Sequence, residues 1–268
     1  MSAESVVGAP IAARVHDRSP FRGPLLALGV GSVLLLAWKA LTIVAGLRPF
    51  VLPPPESVAA RFVRAWAEGT MWPHAATTMV EVAIGFAVGA TTALIVGYAL
   101  ARSRLVAEAL SPYLVAAQAT PILALAPLLV LWFGSGLLSK VVICALIVFF
   151  PVAISTMVGI RSVDRQLLEL CRALRASRVQ ILTRVEIPGA LPAIFGGLRV
   201  GVTLAVVGAV IGEWVGADQG LGVLINLAKG SMFDIPLLFA TLAMLGLLGT
   251  ALYLIVVLVE RRLVGVRG

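Results

Sequence analysis

The segment ELCRALRASRVQILTRVEIPGALP, residues 169–192, interrupts an otherwise apolar chain. It carries four arginines and two glutamates, and a long hydrophobic run lies on each side of it. A charged side chain near the centre of a bilayer costs roughly 3 kcal/mol. Eight charges lie between Asp164 and Glu186, so inserting this stretch would cost on the order of 20 kcal/mol. The segment must therefore remain outside the lipid.

The flanking sequence has the composition of a membrane protein. Of its 268 residues, 60% are hydrophobic and only 13% are charged, whereas a soluble domain has about 25% charged residues. A transmembrane helix needs about 20 apolar residues, and the absence of period-2 alternation favours helices over a barrel. Six runs of this kind lie near residues 24–46, 76–101, 112–133, 138–160, 194–215 and 235–259. We predict an all-α membrane protein with six transmembrane helices.

The basic residues predict how the chain is oriented in the membrane. If the N-terminus is cytoplasmic, the inner segments hold 15 of the 21 Lys and Arg residues. The positive-inside rule therefore places both termini in the cytoplasm. The net charge of +8 then needs no nucleic acid, because inner basic residues contact lipid headgroups. We predict a cytoplasmic tail over residues 1–23 and one membrane domain over 24–268, with its longest inner loop at about 161–193.

The first half of that inner loop is predicted to form an amphipathic helix. Asp164 is suited to cap its N-terminus. Leu167, Cys171 and Leu174 follow at i, i+4 and i+7, which places them on one face of a helix. This apolar stripe could enter a groove in another protein, or it could pack against the inner ends of the chain's own helices. The pattern alone does not separate the two.

Two further short helices are predicted outside the spans. One covers residues 178–185, after which Pro188 and Pro192 should break the chain before the fifth span begins. The other follows the proline cluster after the first span, where Ser57 opens an amphipathic stretch that ends at Gly69. We expect this second helix to lie along the outer membrane surface.

The third span contains the sequence QATPILALAP, residues 118–127. Proline inside a span frees backbone carbonyls, which must then be satisfied within protein or along a wet cavity. The pattern predicts a kinked helix beside a solute pathway. The fifth span ends at Glu213, a membrane-level carboxylate and hence a functional candidate, although it could instead reach water or pair with Lys229. The candidate pathway or gate residues are Gln118, Thr120, Pro121, Gly208, Gly212 and Glu213.

Glycines recur on the fifth span at a spacing of four residues, in the pairs Gly197 and Gly201, then Gly208 and Gly212. This spacing lets helix backbones approach closely. The glycine face could pack within one subunit, or it could form a dimer or pathway face. The sequence leaves both possibilities open.

Enzyme classes find little support in the sequence. The zinc-protease pattern H-E-x-x-H is absent, and the two histidines, His16 and His74, fall on opposite sides of the predicted membrane. No run matches the phosphate-binding pattern G-x-x-x-x-G-K-[ST], so any ATP must be hydrolysed on another chain. A stand-alone secondary transporter or channel is the main alternative class. The spans show no evident paired carboxylates for proton relay, which argues against it.

The inner loop resembles the EAA loop of permease subunits of binding-protein-dependent ABC importers. The family pattern is E-A-A, three residues, Gly, nine residues and I-x-L-P. Here Glu169, Leu170 and Cys171 occupy the first three places and Arg175 stands where Gly is usual. The segment ends in IPGALP at 187–192, which begins two residues beyond the pattern's place for I-x-L-P. The blocks FVLPPPESV, LALAPLLVLWFGSGLLSK and GEWVGADQGLGVLI also resemble the nitrate/sulfonate/taurine branch of this family, in the same order.

This resemblance implies a type I ABC importer permease fold and a homodimer in the inner (cytoplasmic) membrane. It implies two separate ATPase subunits that carry ATP and Mg²⁺, an extracytoplasmic solute-binding protein and surrounding membrane lipids, with no cofactor on this chain. The substrate would be a sulfonate, taurine, nitrate, a vitamin precursor or an aromatic acid. The ATPase-docking residues implied are Glu169, Leu170, Cys171, Leu174, Arg175 and Ala176. Arg175 departs from the family pattern, which has glycine at this place. Glycine there would permit a positive φ, and a non-glycine residue in that conformation costs about 1 kcal/mol.

Overall fold

The computed structural model describes residues 22–44, 46 and 48–265. The chain divides into two compact units, Met1–Pro55 and Glu56–Gly268. In the first unit, helix α1 (Arg22–Val44) covers the first predicted span. The predicted tail lies almost wholly outside the described residues.

The second unit is built from helices, with no strand among its described residues. The helices that follow α1 are α2 (Pro55–Ala67), α3 (Met71–Arg102), α4 (Arg104–Ala119), α5 (Ile122–Phe133), α6 (Leu137–Arg161), α7 (Arg165–Ala173), α8 (Arg178–Ile181), α9 (Ile187–Gly216), α10 (Leu221–Lys229) and α11 (Ile235–Val264). A single π-helical turn, Leu182–Glu186, joins α8 to α9.

Four helical stretches in the described part are long and apolar enough to cross a membrane. They are α3, α6, α11 and the continuous stretch Arg178–Gly216 that contains α9. Helices α4 and α5 count as a fifth only if taken together, because they meet at 95°. In α1 the described apolar part, Leu28–Val44, is shorter. The structure therefore confirms the helical class and four to five of the six predicted spans.

The core of the second unit is α6, which packs between α3 and α9. Both neighbours approach α6 through glycines. A Cβ atom at Gly89 of α3 would lie 2.7 Å from the Ala145 carbonyl oxygen, and one at Gly197 of α9 would lie 2.6 Å from the Ser155 Cβ. Real Cβ atoms do not approach this closely, so only glycine permits these helix separations. The glycine spacing on the fifth span thus serves packing within the subunit, and α3 carries an equivalent face.

The predicted break at Pro188 and Pro192 is wrong, because α9 runs through both prolines. Pro188 lies in the first turn of α9, where a helix tolerates a residue without an N–H group. The π-helical turn immediately before it changes the local hydrogen-bond register, which is how helices accommodate such insertions. The second half of the charged segment, from Arg178 on, therefore forms one continuous helical stretch with the fifth span.

The predicted outer helix is confirmed as α2, and Gly69 follows it with φ +77°. Arg61 on α2 donates from Nε to Asp234 at 2.6 Å and from Nη1 to Glu68 at 3.1 Å. The hydrogen bond to Asp234 raises the pKa of the Arg61 guanidinium. Helix α10, which was not predicted, packs Leu221, Leu224 and Ala228 into the apolar cluster that also contains Ala65 of α2.

Candidate functional site

Helix α7 carries the predicted amphipathic face and leaves it uncovered. Asp164 caps the helix as expected, since its carboxylate accepts the Gln166 N–H at 2.8 Å. No residue of α7 is buried. Leu170 is 56% exposed, and Leu174, which follows the helix, is 73% exposed. The described helices of the chain therefore do not cover this stripe, and it remains available to another protein.

The end of α7 explains how the loop accommodates an arginine at the family's glycine position. Arg175 has φ +56°. Its N–H donates to the Arg172 carbonyl at 2.9 Å, and the Ala176 N–H donates to the Cys171 carbonyl at 2.9 Å. These two bonds form a Schellman motif, which closes a helix and normally places glycine at the left-handed residue. Arg175 thus adopts the backbone conformation that glycine favours at this position of the motif.

Arg175→Gly is expected to stabilise the end of α7 by about 1 kcal/mol, because glycine adopts this backbone conformation without strain. Hydrogen exchange of the α7 amides should slow about fivefold, since 1.4 kcal/mol corresponds to tenfold. Arg172→Gly, which lies within the same helix, should instead speed exchange by a similar factor. Equal exchange in Arg175→Gly and the parent chain would contradict the assigned turn.

The far side of the loop is fixed to the end of α3. Ser177 and Gln180 form a capping box at the start of α8. Arg102, the last residue of α3, donates to Glu186 at 2.8 Å, and Glu186 is only 3% exposed. Arg161, the last residue of α6, donates to the Leu100 carbonyl at 2.7 Å. The loop is therefore joined to α3 by this ion pair and to α9 by the continuous helix.

The predicted kink falls between α4 and α5. Thr120 and Pro121 occupy the break, and the two helices diverge there by 95°. Gln118, Thr120 and Pro121 are all exposed, and α4 buries none of its residues. The three pathway candidates therefore lie together on a surface that the described helices leave uncovered.

Glu213 lies in a buried polar cluster that ties three helices together. It is 2% exposed. Its Oε1 accepts from the Thr78 hydroxyl of α3 at 2.6 Å, and its Oε2 accepts from the Gly222 N–H of α10 at 2.5 Å. The Thr78 hydroxyl oxygen in turn accepts the Leu221 N–H at 2.8 Å. Glu213 thus does not pair with Lys229, and its observed role is to hold α10 against α3 and α9.

A second carboxylate, Glu81 of α3, completes this cluster. It is 3% exposed, it lies beside Glu213, and its Oε2 has no hydrogen-bond partner among the described residues. Lys140 of α6 donates to the carbonyls of Ser135 and Gly216. The expectation that the spans contain no paired carboxylates is therefore wrong. The pair was missed because its members are 132 positions apart in sequence.

Gly220 permits the close contact between α10 and Glu213. It has φ +136°, and a Cβ atom there would overlap the Glu213 carboxyl group. Its N–H donates to Nδ1 of His74 at 3.1 Å. Gly208 and Gly212, predicted with Glu213 as pathway residues, instead face Cys144 and Lys140 of α6. Packing accounts for both glycines within one subunit, and their pathway role stays a prediction.

One ion pair within the membrane-crossing helices also went unrecognised in the sequence. Arg199 of α9 donates from Nε to Glu260 of α11 at 2.8 Å, and a second guanidinium nitrogen contacts the same carboxylate. In the sequence, Arg199 is one of the 15 inner basic residues that predict the orientation of the chain. Pairing explains how an arginine is tolerated in the fifth span, because an unpaired charge at that depth is costly.

Comparison with known proteins places these features in a family. Residues 85–265 match the family model for the binding-protein-dependent transport system inner membrane component. The chain is 46% identical to the riboflavin transport system permease protein RibX of Chloroflexus aurantiacus over 95% of both chains. It is 31% identical to the taurine transport system permease protein TauC of Escherichia coli over 93% of this chain and 94% of that protein.

The fold has a counterpart among solved structures. An inward-facing structure of the MetNI methionine ABC transporter matches with a TM-score of 0.63 and 21% identity, covering 73% of this chain and 98% of that one. The matched family is that of multi-pass inner-membrane permeases, and the described helices have the length and composition it requires. The chain therefore belongs to the family of inner-membrane permease subunits of binding-protein-dependent ABC importers, within the branch that includes the taurine and sulfonate permeases.

Proposed function

We propose that this chain forms the solute pathway of an ATP-driven importer as a homodimer, with one ATPase subunit docked on each cytoplasmic loop. The observation that carries the proposal is the uncovered apolar stripe on α7, which ends in the Schellman turn at Arg175. A helix that presents leucines at this spacing fits a groove in a partner protein. The docking set is Glu169, Leu170, Cys171, Leu174, Arg175 and Ala176.

Transport in this proposal is driven by the partner subunits, which bind ATP and Mg²⁺. When the two ATPases close on ATP, they bring the two α7 surfaces together and favour one conformation of the permease over the other. The Arg102–Glu186 ion pair passes this movement from the loop to α3. An extracytoplasmic binding protein delivers the solute to the opposite side. Both termini are cytoplasmic, as the distribution of arginines supports.

The pathway is proposed to run where two copies meet at the bend between α4 and α5. Gln118, Thr120 and Pro121 lie there on a surface that the described chain leaves uncovered. Prolines in broken spans occur beside wet cavities in transporters. The candidates Gly208, Gly212 and Glu213 take part indirectly, because their side of α9 packs on α6 and α10.

The substrate we propose to test first is riboflavin. The relative named for riboflavin transport is 46% identical over 95% of this chain, whereas the one named for taurine transport is 31% identical. In vesicles that contain the permease, its ATPase and its binding protein, we expect ATP-dependent uptake of labelled riboflavin. Excess unlabelled riboflavin should compete, and excess taurine should not. Uptake of labelled taurine but not of labelled riboflavin would instead assign the chain to sulfonate import.

The docking proposal is tested with the chain's own cysteines. Cys171 lies on α7 and is part-exposed, whereas Cys144 is buried. A maleimide should therefore label the purified permease at Cys171. Addition of the ATPase subunit should slow this labelling at least about tenfold, because docking covers the thiol.

Two variants make the labelling result specific. Cys171→Ser should abolish labelling and so identify the reactive thiol. In that background, Ser231→Cys introduces an exposed thiol next to α10, far along the chain from the loop, and the ATPase should leave its labelling rate unchanged. Unprotected Cys171, together with solute uptake driven by an ion gradient and no ATPase, would support the alternative of a stand-alone secondary transporter.

A further inference from the structure

An apolar groove opens on the side of the bundle near the arginine-rich ends of the spans. Its volume is about 500 Å³. It lies where α3, α6, α9 and the end of α11 meet, and its lining includes Ile95, Tyr98, Leu191, Leu198 and Leu263. Because the lining is almost wholly apolar and comes from membrane-crossing helices, the groove suits a hydrocarbon chain rather than a polar solute.

A basic cleft adjoins this groove. It has a volume of about 460 Å³ and is lined by Arg102, Arg104, Arg161, Arg165 and one acidic residue, Glu186. Each arginine stands at a helix end. Four guanidinium groups facing one carboxylate leave the cleft with an excess of positive charge, and guanidinium groups bind phosphate oxygens with paired hydrogen bonds.

The groove and the cleft adjoin each other, because Ile160 lines both. Ile160 is buried and lies one residue before the end of α6. The apolar groove between the membrane-crossing helices and the cationic cleft at the helix ends therefore lie side by side, with Ile160 between them. This arrangement matches a phospholipid, because an acyl chain would fit the apolar groove and the phosphate attached to the same molecule would reach the cationic cleft.

The four arginines differ in how strongly each is already bound to other groups of the protein. Arg102 is bound to the buried Glu186, and Arg161 is bound to the Leu100 carbonyl. Arg104 pairs with Glu108 of its own helix but its side chain is 92% exposed, and Arg165 is also exposed. An exposed pair of this kind contributes little to stability. Arg104 and Arg165 can therefore turn toward a ligand without breaking a contact that holds the fold.

We propose that the groove and cleft together form a binding site for one anionic phospholipid, with an acyl chain against Leu191 and the phosphate held by Arg104 and Arg165. Basic pockets between spans on the cytoplasmic side are suited to such headgroups. A zwitterionic lipid fits less well, because its choline group adds a positive charge beside four arginines.

The test is native mass spectrometry of the delipidated full-length permease, titrated with dioleoylphosphatidylglycerol or dioleoylphosphatidylcholine. The anionic lipid should bind at least about tenfold more tightly. Arg104→Gln combined with Arg165→Gln should weaken binding of the anionic lipid about 30-fold. Each arginine near a membrane surface increases the affinity for an anionic lipid about five- to sixfold, and the two factors multiply. The matched control, Arg262→Gln, removes an arginine at the end of α11 that lies outside the cleft, and it should change binding less than about twofold.

A second measurement tests the groove without changing the protein. Phosphatidylglycerol with a photoactivatable acyl chain should label the peptide that contains residues 187–198, and glycerol phosphate in excess should not compete. Three results would overturn the proposal: equal binding of the two lipids, equal loss in the Arg262→Gln control, or full competition by glycerol phosphate. The last would indicate a site for free phosphate compounds instead of a lipid.

Discussion

Leu174→Asp should abolish ATP-dependent uptake while leaving the permease folded in the membrane. Leu174 is 73% exposed at the end of α7, so the isolated permease loses almost no buried surface in the variant. In the proposed complex the same position is covered by the ATPase. Burying a leucine contributes about 1.5–3 kcal/mol, and a carboxylate in that contact adds a desolvation cost. Uptake should therefore fall at least about tenfold.

Three controls define this result. Leu174→Met keeps an apolar side chain of similar volume and should retain most of the uptake. Glu169→Gln removes one charge from the same helix and should lower uptake by a smaller factor. The amount of each variant in the membrane should match that of the parent chain. Normal uptake by Leu174→Asp, together with continued protection of Cys171 by the ATPase, would contradict docking on this face.

The features of the loop that the sequence predicted correctly depend on local spacing. The cap at Asp164 and the apolar stripe through Leu174 are set by residues within about ten positions of one another, so periodicity reveals them. The long apolar runs are equally visible, because a span is defined by its own composition. The angle between α4 and α5 is different. A proline predicts a kink, but 95° depends on what surrounds the break.

The polar cluster could not be derived in this way. Thr78 and Glu213 are separated by 135 positions, and no local pattern links a threonine in one span to a glutamate in another. A signal did exist in the glycines of the sequence VGADQGLG, which predict a close backbone approach to something nearby. The partner of that approach, the Glu213 carboxyl group, became identifiable only when α10 was placed against α9.

The path of the chain into α9 shows why one strong local rule failed. Pro188 and Pro192 normally end a helix, yet α9 runs through both, with Pro188 in its first turn directly after the π-helical turn. Arg175 shows the reverse case. Its side chain departs from the family pattern, but its backbone keeps the conformation that glycine would adopt. The hydrogen bonds of the turn therefore hold Arg175 at a positive φ, although a non-glycine residue prefers a negative φ, at a cost of about 1 kcal/mol.

Gly220→Ala should destabilise the permease by about 4 kcal/mol. Two causes add. The backbone at Gly220, with φ +136° and ψ 159°, lies in a region used almost only by glycine, and an alanine there costs about 2 kcal/mol. The added Cβ would also overlap the Glu213 carboxyl group, which costs about 2 kcal/mol more. Unfolding titrations in detergent measure the sum.

Two other glycines separate these causes. Gly134 has a similar backbone, φ +80° and ψ 172°, but its Cβ would meet no atom within 4 Å, so Gly134→Ala should show the strain of about 2 kcal/mol alone. In Gly222→Ala the new Cβ would lie 2.8 Å from Glu213 Oε2, which adds a steric clash without a positive φ. If Gly220→Ala lowered the free energy of unfolding no more than Gly134→Ala does, the contact between Gly220 and Glu213 would be refuted.

The steric part of the Gly220→Ala effect should also depend on Glu213 itself. Glu213→Ser shortens the side chain and makes room for the added methyl group, although it gives up the hydrogen bonds to Thr78 and Gly222. The double variant should therefore be more stable than the sum of the two single effects predicts, by about 2 kcal/mol. Strict additivity would mean that α10 is held by other contacts and that Glu213 does not fix its position.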